Sequence, residues 1–169
     1  MQGSVEQFLE QVARRGSWVG GGSAAALAAA LAAALLEKLV VRPAAARRLR
    51  AVRRECVALI DRDAATFSRA IAATRTGQRA RFARALKTAT EVPYRVFANA
   101  HIIGAMGRTE QRAIKRQFQS DVRCALALAD GAATSARALI DTNLAWLKNR
   151  SYTARMRHRV RLAMRPHVR

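Results

Sequence analysis

The sequence predicts an all-α domain, an up-and-down bundle of about five to six helices. Three observations predict it. Of 169 residues, 38 are alanine, the best helix former, and only three are proline. Half of the chain (51%) is hydrophobic but only 5% is aromatic, so the core must be built from Ala, Leu, Val and Ile. No stretch of useful length alternates apolar and polar residues as a half-buried strand would. The length suits one domain.

The elements follow in order. Residues 4–14 read as a short first helix ended by Gly16. Gly20-Gly21-Gly22 is the one glycine-rich loop, and Ser23 after it reads as the N-cap of a tightly packed helix over 24–40. Arg42-Pro43 breaks that helix, and Pro43 opens a third over 44–75. Gly77 ends it. A fourth helix starts near 78, kinks or restarts at Pro93, and reaches Gly104 to Gly107. Ser120 reads as the N-cap of a long helix over 121–148. The main domain is 1–150, and 151–169 is a basic C-terminal helix or tail, with six arginines and no acid.

Charge is the other strong feature: 31 basic residues against 11 acidic give +20, and only four of the 31 are lysine. The excess is spread over 42–169 without one dense block, while 1–41 is neutral. A solvated basic exterior and a surface for an anionic partner both account for it. Cys56 and Cys124 have no C-x-x-C partner, which excludes a cysteine metal site and a disulfide framework and favours a reduced, cytoplasmic setting. His101, His158 and His167 lack metal-ligand spacing, so no metal is expected. No membrane partner is expected either. The uncharged run ends in 13 mostly alanine residues after Ser23, where a span needs about 20 apolar ones. Glu6, Glu10, Arg14 and Arg15 ahead of it are unlike a signal peptide.

Helical periodicity sorts the polar residues. On the third helix Leu49, Val52, Cys56, Leu59, Ile60, Phe67, Ala70 and Ile71 form one stripe, with Asp63 inside it. Asp61 falls on the opposite face with Arg50 and Arg54. An inward carboxyl must be paired, hydrogen-bonded or protonated. It is either a helix-linking hydrogen bond or a site. On the last long helix Asn143 falls within the stripe of Ala125, Ala129, Ala132, Ala136, Leu139, Ile140 and Leu147, with Asp121 at its edge in the first turn. Asp121 can serve a site or the helix dipole, and Asn143 a site or a buried interhelical bond. The glycines let backbone approach a ligand closely, and helix N-terminal N–H groups favour anions. Trp18 can stack on a flat ligand or anchor the glycine loop; Trp146 reads as core. The wide alanine faces of the second and last long helices exceed what a small bundle covers, which predicts a homodimer.

Four short motifs then align with one family. Gly20-Gly21-Gly22-Ser23-Ala24-Ala25-Ala26-Leu27 resembles the Pro-Gly-Gly-Gly-Ser loop of the formiminotransferase-cyclodeaminase C-terminal domain family. Asp61-Arg62-Asp63-Ala64-Ala65-Thr66-Phe67 resembles its Asp-x-Asp-Ala-x-x-Phe, Ala89-Thr90-Glu91-Val92-Pro93 its Ala-Thr-x-Val-Pro, and Ser120-Asp121 and Asn143-Leu144 its Ser-Asp and Asn-Leu. The order is right and the motifs cover about 8–148. The chain departs from the pattern in four places. Trp18-Val19 replaces the proline, the stretch between the glycines and Asp61 is short, Ile114-Lys115 replaces Gly-Asn, and Leu139 replaces an asparagine.

The resemblance implies an all-α homodimer in cytoplasmic one-carbon folate metabolism. Its members convert 5-formiminotetrahydrofolate to 5,10-methenyltetrahydrofolate with loss of ammonia, or hydrolyse the methenyl compound to 10-formyltetrahydrofolate. It implies Asp63 as the catalytic proton donor, and Gly20, Gly21, Gly22, Ser23, Asp121 and Asn143 as substrate-binding residues. The tetrahydrofolate derivative, which can be polyglutamylated, is substrate, and no cofactor is expected. The competing expectation is a non-catalytic helical module whose basic surface binds nucleic acid or another polyanion.

Overall fold

The computed structural model describes residues 3–75 and 77–165. Six α-helices account for nearly all of them: α1 (Val5–Ala13), α2 (Gly21–Leu39), α3 (Pro43–Thr74), α4 (Arg79–Glu110), α5 (Gln119–Leu147) and α6 (Arg150–Ala163). No strand occurs among the described residues. His167 lies outside them.

Helices α2 to α5 form the up-and-down core. Ser23 on α2 meets Ile60 and Asp63 on α3, while Glu37 near its other end meets Arg50 and Arg53, so the two run antiparallel. Glu55 pairs with Arg95 and Arg42 with Glu110, which sets α4 antiparallel to α3. Gly21 faces Leu139 and Lys38 meets Asp121, so α5 runs antiparallel to α2. Small residues let these axes approach. Ala26, Ala29, Ala32 and Ala33 of α2 are fully buried. A methyl on Gly107 would meet Leu126 Cδ2 at 2.9 Å and Leu36 Cδ1 at 3.0 Å, so only glycine fits between α2 and α5 there. Among the described residues α2 is the one helix long and apolar enough to cross a membrane, and most of it is buried inside the bundle.

Several boundaries differ from expectation for physical reasons. Ser23 is not an N-cap: Gly20 is, α2 already starts at Gly21, and the Ser23 side chain turns inward to α3. Ser120 does not cap α5 either; α5 begins at Gln119 after two 3₁₀ turns, with Phe118 at the cap position. Pro93 neither restarts nor ends α4, which runs unbroken to Glu110. Pro93 is buried in the core, and one turn earlier Thr90 Oγ1 donates to Leu86 O at 2.7 Å, a side-chain bond back to the helix's own backbone.

The C-terminal residues form a docked helix over Arg150–Ala163. Asn149 caps it by accepting from Tyr152 N. Met156 and Val160 are buried in the bundle. Arg159 grips Glu91 of α4 with two hydrogen bonds, of 2.6 and 2.9 Å, and its guanidinium lies 3.9 Å from the centre of the Tyr94 ring.

Candidate active site

The stripe on α3 is turned inward as periodicity required. Leu49, Val52, Cys56, Leu59, Ile60 and Ala70 are buried, Phe67 and Ile71 half-buried. Asp63 is half-buried and faces α2, whereas Asp61 is exposed. Asp63 Oδ2 accepts a hydrogen bond from Ser23 Oγ at 3.3 Å, and the Ser23 N–H donates to the same carboxyl. The Ser23 hydroxyl also reaches Ile60 O at 2.9 Å, which fixes its rotamer against α3.

Gly22 completes the cradle. A Cβ there would fall inside the van der Waals radius of all three carboxyl atoms of Asp63. The glycines therefore sit in the first turn of α2, not in a loop, and Gly22 makes room for a carboxyl of the chain itself. Asp63 has no cationic partner among the described residues. Burial pushes its pKa up from the usual 3.8, and hydrogen bonding from Ser23 only partly offsets that. The site thus shifts Asp63 toward its protonated form, while Ser23 offers it a backbone N–H and a share of the one hydroxyl hydrogen that also reaches Ile60 O.

Around this centre Trp18 lies edge-on to Phe67, one turn beyond Asp63, with ring centres 6.4 Å apart. Trp18 is still 45% exposed. Leu139 of α5 touches the position of Gly21, and Asn143, one turn further on, is buried. From Gly21 an apolar groove of about 400 Å³ runs between α2 and α5, floored by Ala25, Ala28 and Ala132 and rimmed by Ser135 and Leu139. None of its lining residues is charged.

Gly20, Gly21, Gly22, Ser23 and Asp63 thus come together, with Asn143 on the neighbouring helix. Asp121 does not join them. It sits in the first turn of α5 and pairs with Lys38 at 3.5 Å, at the far end of α2. At 1.5 Å rise per residue it lies roughly 27 Å along α5 from Leu139. Trp146, expected in the core, is 48% exposed on α5. His101 packs edge-on to Phe97, and burial with Arg108 nearby lowers its basicity. No group of His, Cys, Asp or Glu among the described residues is placed to hold a metal ion.

Periodicity passed over two carboxyls. Glu110, 3% exposed, is gripped by Arg42 through Nε at 2.9 and 3.1 Å and by Nη2. Glu91 holds Arg159. Asn99 was also passed over. It is buried with its side chain facing the Cys56 thiol, and its Nδ2 has no oxygen or nitrogen partner among the described residues. Burial pushes the Cys56 thiol up to about 12.

The family model described as formiminotransferase-cyclodeaminase matches residues 4–42 and 41–162. The two pieces meet at the short connection between α2 and α3, inside the stretch that is short in the sequence. Among solved structures, the formiminotetrahydrofolate cyclodeaminase of Thermotoga maritima superposes with a TM-score of 0.89 at 18% identity. That match covers 96% of this chain and 88% of the other. No curated protein matches the chain. Neither match points to nucleic acid.

Proposed function

The chain belongs to the formiminotransferase-cyclodeaminase family, and from that premise we propose that it acts on a folate one-carbon derivative with Asp63 as proton donor. The supporting observation is one carboxyl, half-buried, without a cation and held by two donors of Ser23 at the glycine turn.

In the cyclodeaminase reaction N10 of 5-formiminotetrahydrofolate attacks the formimino carbon; the N10–C bond forms, the C=N π pair moves to the imino nitrogen, and that nitrogen takes up the proton that N10 loses, so one further proton is needed. The former imino nitrogen leaves as ammonia only once protonated, and its C–N bond then breaks to give the methenyl product. Asp63, whose burial shifts it toward the protonated form, is placed to supply that proton. The Ser23 N–H and O–H stabilise the carboxylate that remains, so the same cradle serves both states. In the cyclohydrolase reaction water adds to the methenyl carbon and gives up both its protons, one released to solvent and one ending on N5 as the C–N5 bond breaks, with Asp63 again placed to hand N5 that proton. Gly20 to Ser23 and Asn143 line the substrate end. Asp121 would reach a substrate only from a second copy or through its extended glutamate tail, since it lies at the other end of α5.

We also propose the homodimer, through the small-residue face of α2 and α5. The uncharged groove and the exposed Leu31 and Trp146 on those two helices support it. Light scattering of a monomer at micromolar concentration would remove it.

The test is Asp63→Asn beside Asp61→Asn. Methenyl absorbance and ammonia are followed from 5-formiminotetrahydrofolate, with methenyltetrahydrofolate hydrolysis in parallel. Asp63→Asn should cost about 10²–10⁴-fold in turnover with helicity unchanged, and Asp61→Asn little. Equal losses in the two variants would end the assignment of Asp63.

A further inference from the structure

At the end of the bundle opposite Asp63, α4 passes into α5 through two 3₁₀ turns over Gln111–Ala113 and Arg116–Phe118. The turns are pinned from inside. Ile114 is buried. The Gln119 amide donates to the carbonyls of Gln111 and Ile114, both at 3.0 Å, and accepts from the Gln111 side chain at 3.1 Å. This small network fixes where the neighbouring arginines leave the backbone.

Arg108, Arg112 and Arg116, spaced four apart, line one open hollow of about 700 Å³ together with Gln111, Ile114 and Gln119. None of the three pairs with a carboxylate among the described residues. Of the acids near this end, Glu110 is engaged by Arg42 and Asp121 by Lys38, while exposed Asp130 acts, like Arg108, on His101. The first turn of α5 opens beside the hollow with no side chain capping it; its Gln119 N–H is bonded to Arg116 O, and Asp121 in the same turn is paired with Lys38. Three arginines on the wall of one hollow give it a positive potential that an anion would offset; the Arg108 head lies back over Gly104, at the hollow's edge.

We propose that Arg108, Arg112 and Arg116 form a second binding site, for a small, multiply charged phosphate-type anion. Guanidinium forks match phosphate oxygens two at a time, and a concave, pinned site favours a small molecule over an extended polymer. The site is separate from Asp63 and does not depend on the folate reading. The chain builds it where it departs from its family's pattern, at Ile114-Lys115.

The probe is sodium pyrophosphate, titrated calorimetrically into the full chain at physiological ionic strength. Binding should saturate at one site per chain. Arg112→Ser with Arg116→Ser should weaken it by at least about tenfold, since each removes a charge-assisted contact. Arg116→Gln alone should give a smaller loss and guards against a double variant that fails to fold. Arg157→Ser with Arg161→Ser, the same charge change on exposed α6, should leave the affinity within about twofold. Equal losses in the two double variants would reduce the effect to net charge and overturn the proposal. So would a titration that never saturates, or a short DNA single strand that binds where pyrophosphate does not.

Discussion

Asp63 and Glu110 are carboxyls turned into the two ends of the same bundle, and they are held in opposite ways. Glu110 is nearly sealed and gripped by the Arg42 guanidinium. Asp63 is less buried and has only the neutral donors of Ser23. The first arrangement fixes a charge and makes a strut between α3 and α4. The second leaves the proton negotiable, because nothing nearby compensates the anion fully. What separates a structural acid from a candidate proton donor here is its partner, not its depth.

Substitution at the glycine turn breaks this contrast most severely. Gly22→Ala forces the Asp63 carboxyl out of its cradle, because the new methyl occupies its place. Turnover should fall by about as much as in Asp63→Asn, roughly 10²–10⁴-fold, and stability by about 1–3 kcal/mol from overpacking. Gly21→Ala is the matched control. Its methyl would meet Leu139 at an ordinary 3.7 Å and leaves Asp63 untouched, so turnover should fall far less than in Gly22→Ala, by no more than a change at the substrate-lining surface costs.

Loss of the grip at the other end should have the reverse signature. Arg42→Ala leaves Glu110 buried without its cation. Thermal unfolding should move down by several degrees while turnover per folded molecule stays near that of the parent. A loss of turnover with unchanged unfolding would mean that the two ends are coupled.

The smallest effect is in the pH dependence of stability. Folded Asp63 holds its proton more tightly than the unfolded chain does, so its contribution is full below 3.8 and is lost as pH rises through the folded value. Asp63→Asn lacks that loss. The difference in unfolding temperature, variant minus parent, should therefore widen upward from pH 3.8. A difference that is flat over the acid range would show that burial of Asp63 carries no cost.

Much of this was legible in the sequence, and the failures share a cause. Helical periodicity reports which way a side chain points around an axis. It separated Asp63 from Asp61, and it put Asn143 inward. It says nothing of height along the axis, so Asp121 and Asn143 shared a stripe while sitting at opposite ends of α5. Trp146 failed differently: an aromatic at the edge of an alanine stripe has no room between closely spaced helices and turns outward. Ser23 looked like a cap because serine after glycine usually is one; only the approach of α3 shows why its hydroxyl turns inward. The arginines at 108, 112 and 116 carried a readable four-residue spacing. Nothing in it showed that their helix ends there and that two tight turns gather them.

Cys56 has a consequence in kinetics. The thiolate is the form that alkylates, and this thiol is fully buried on α3 and pushed up to about 12. In the closed bundle it is silent to a reagent that reacts at once with exposed Cys124. The slow second phase of labelling then measures how often α3 lifts away from α2 and α4, a clock for opening that the chain carries without any added probe.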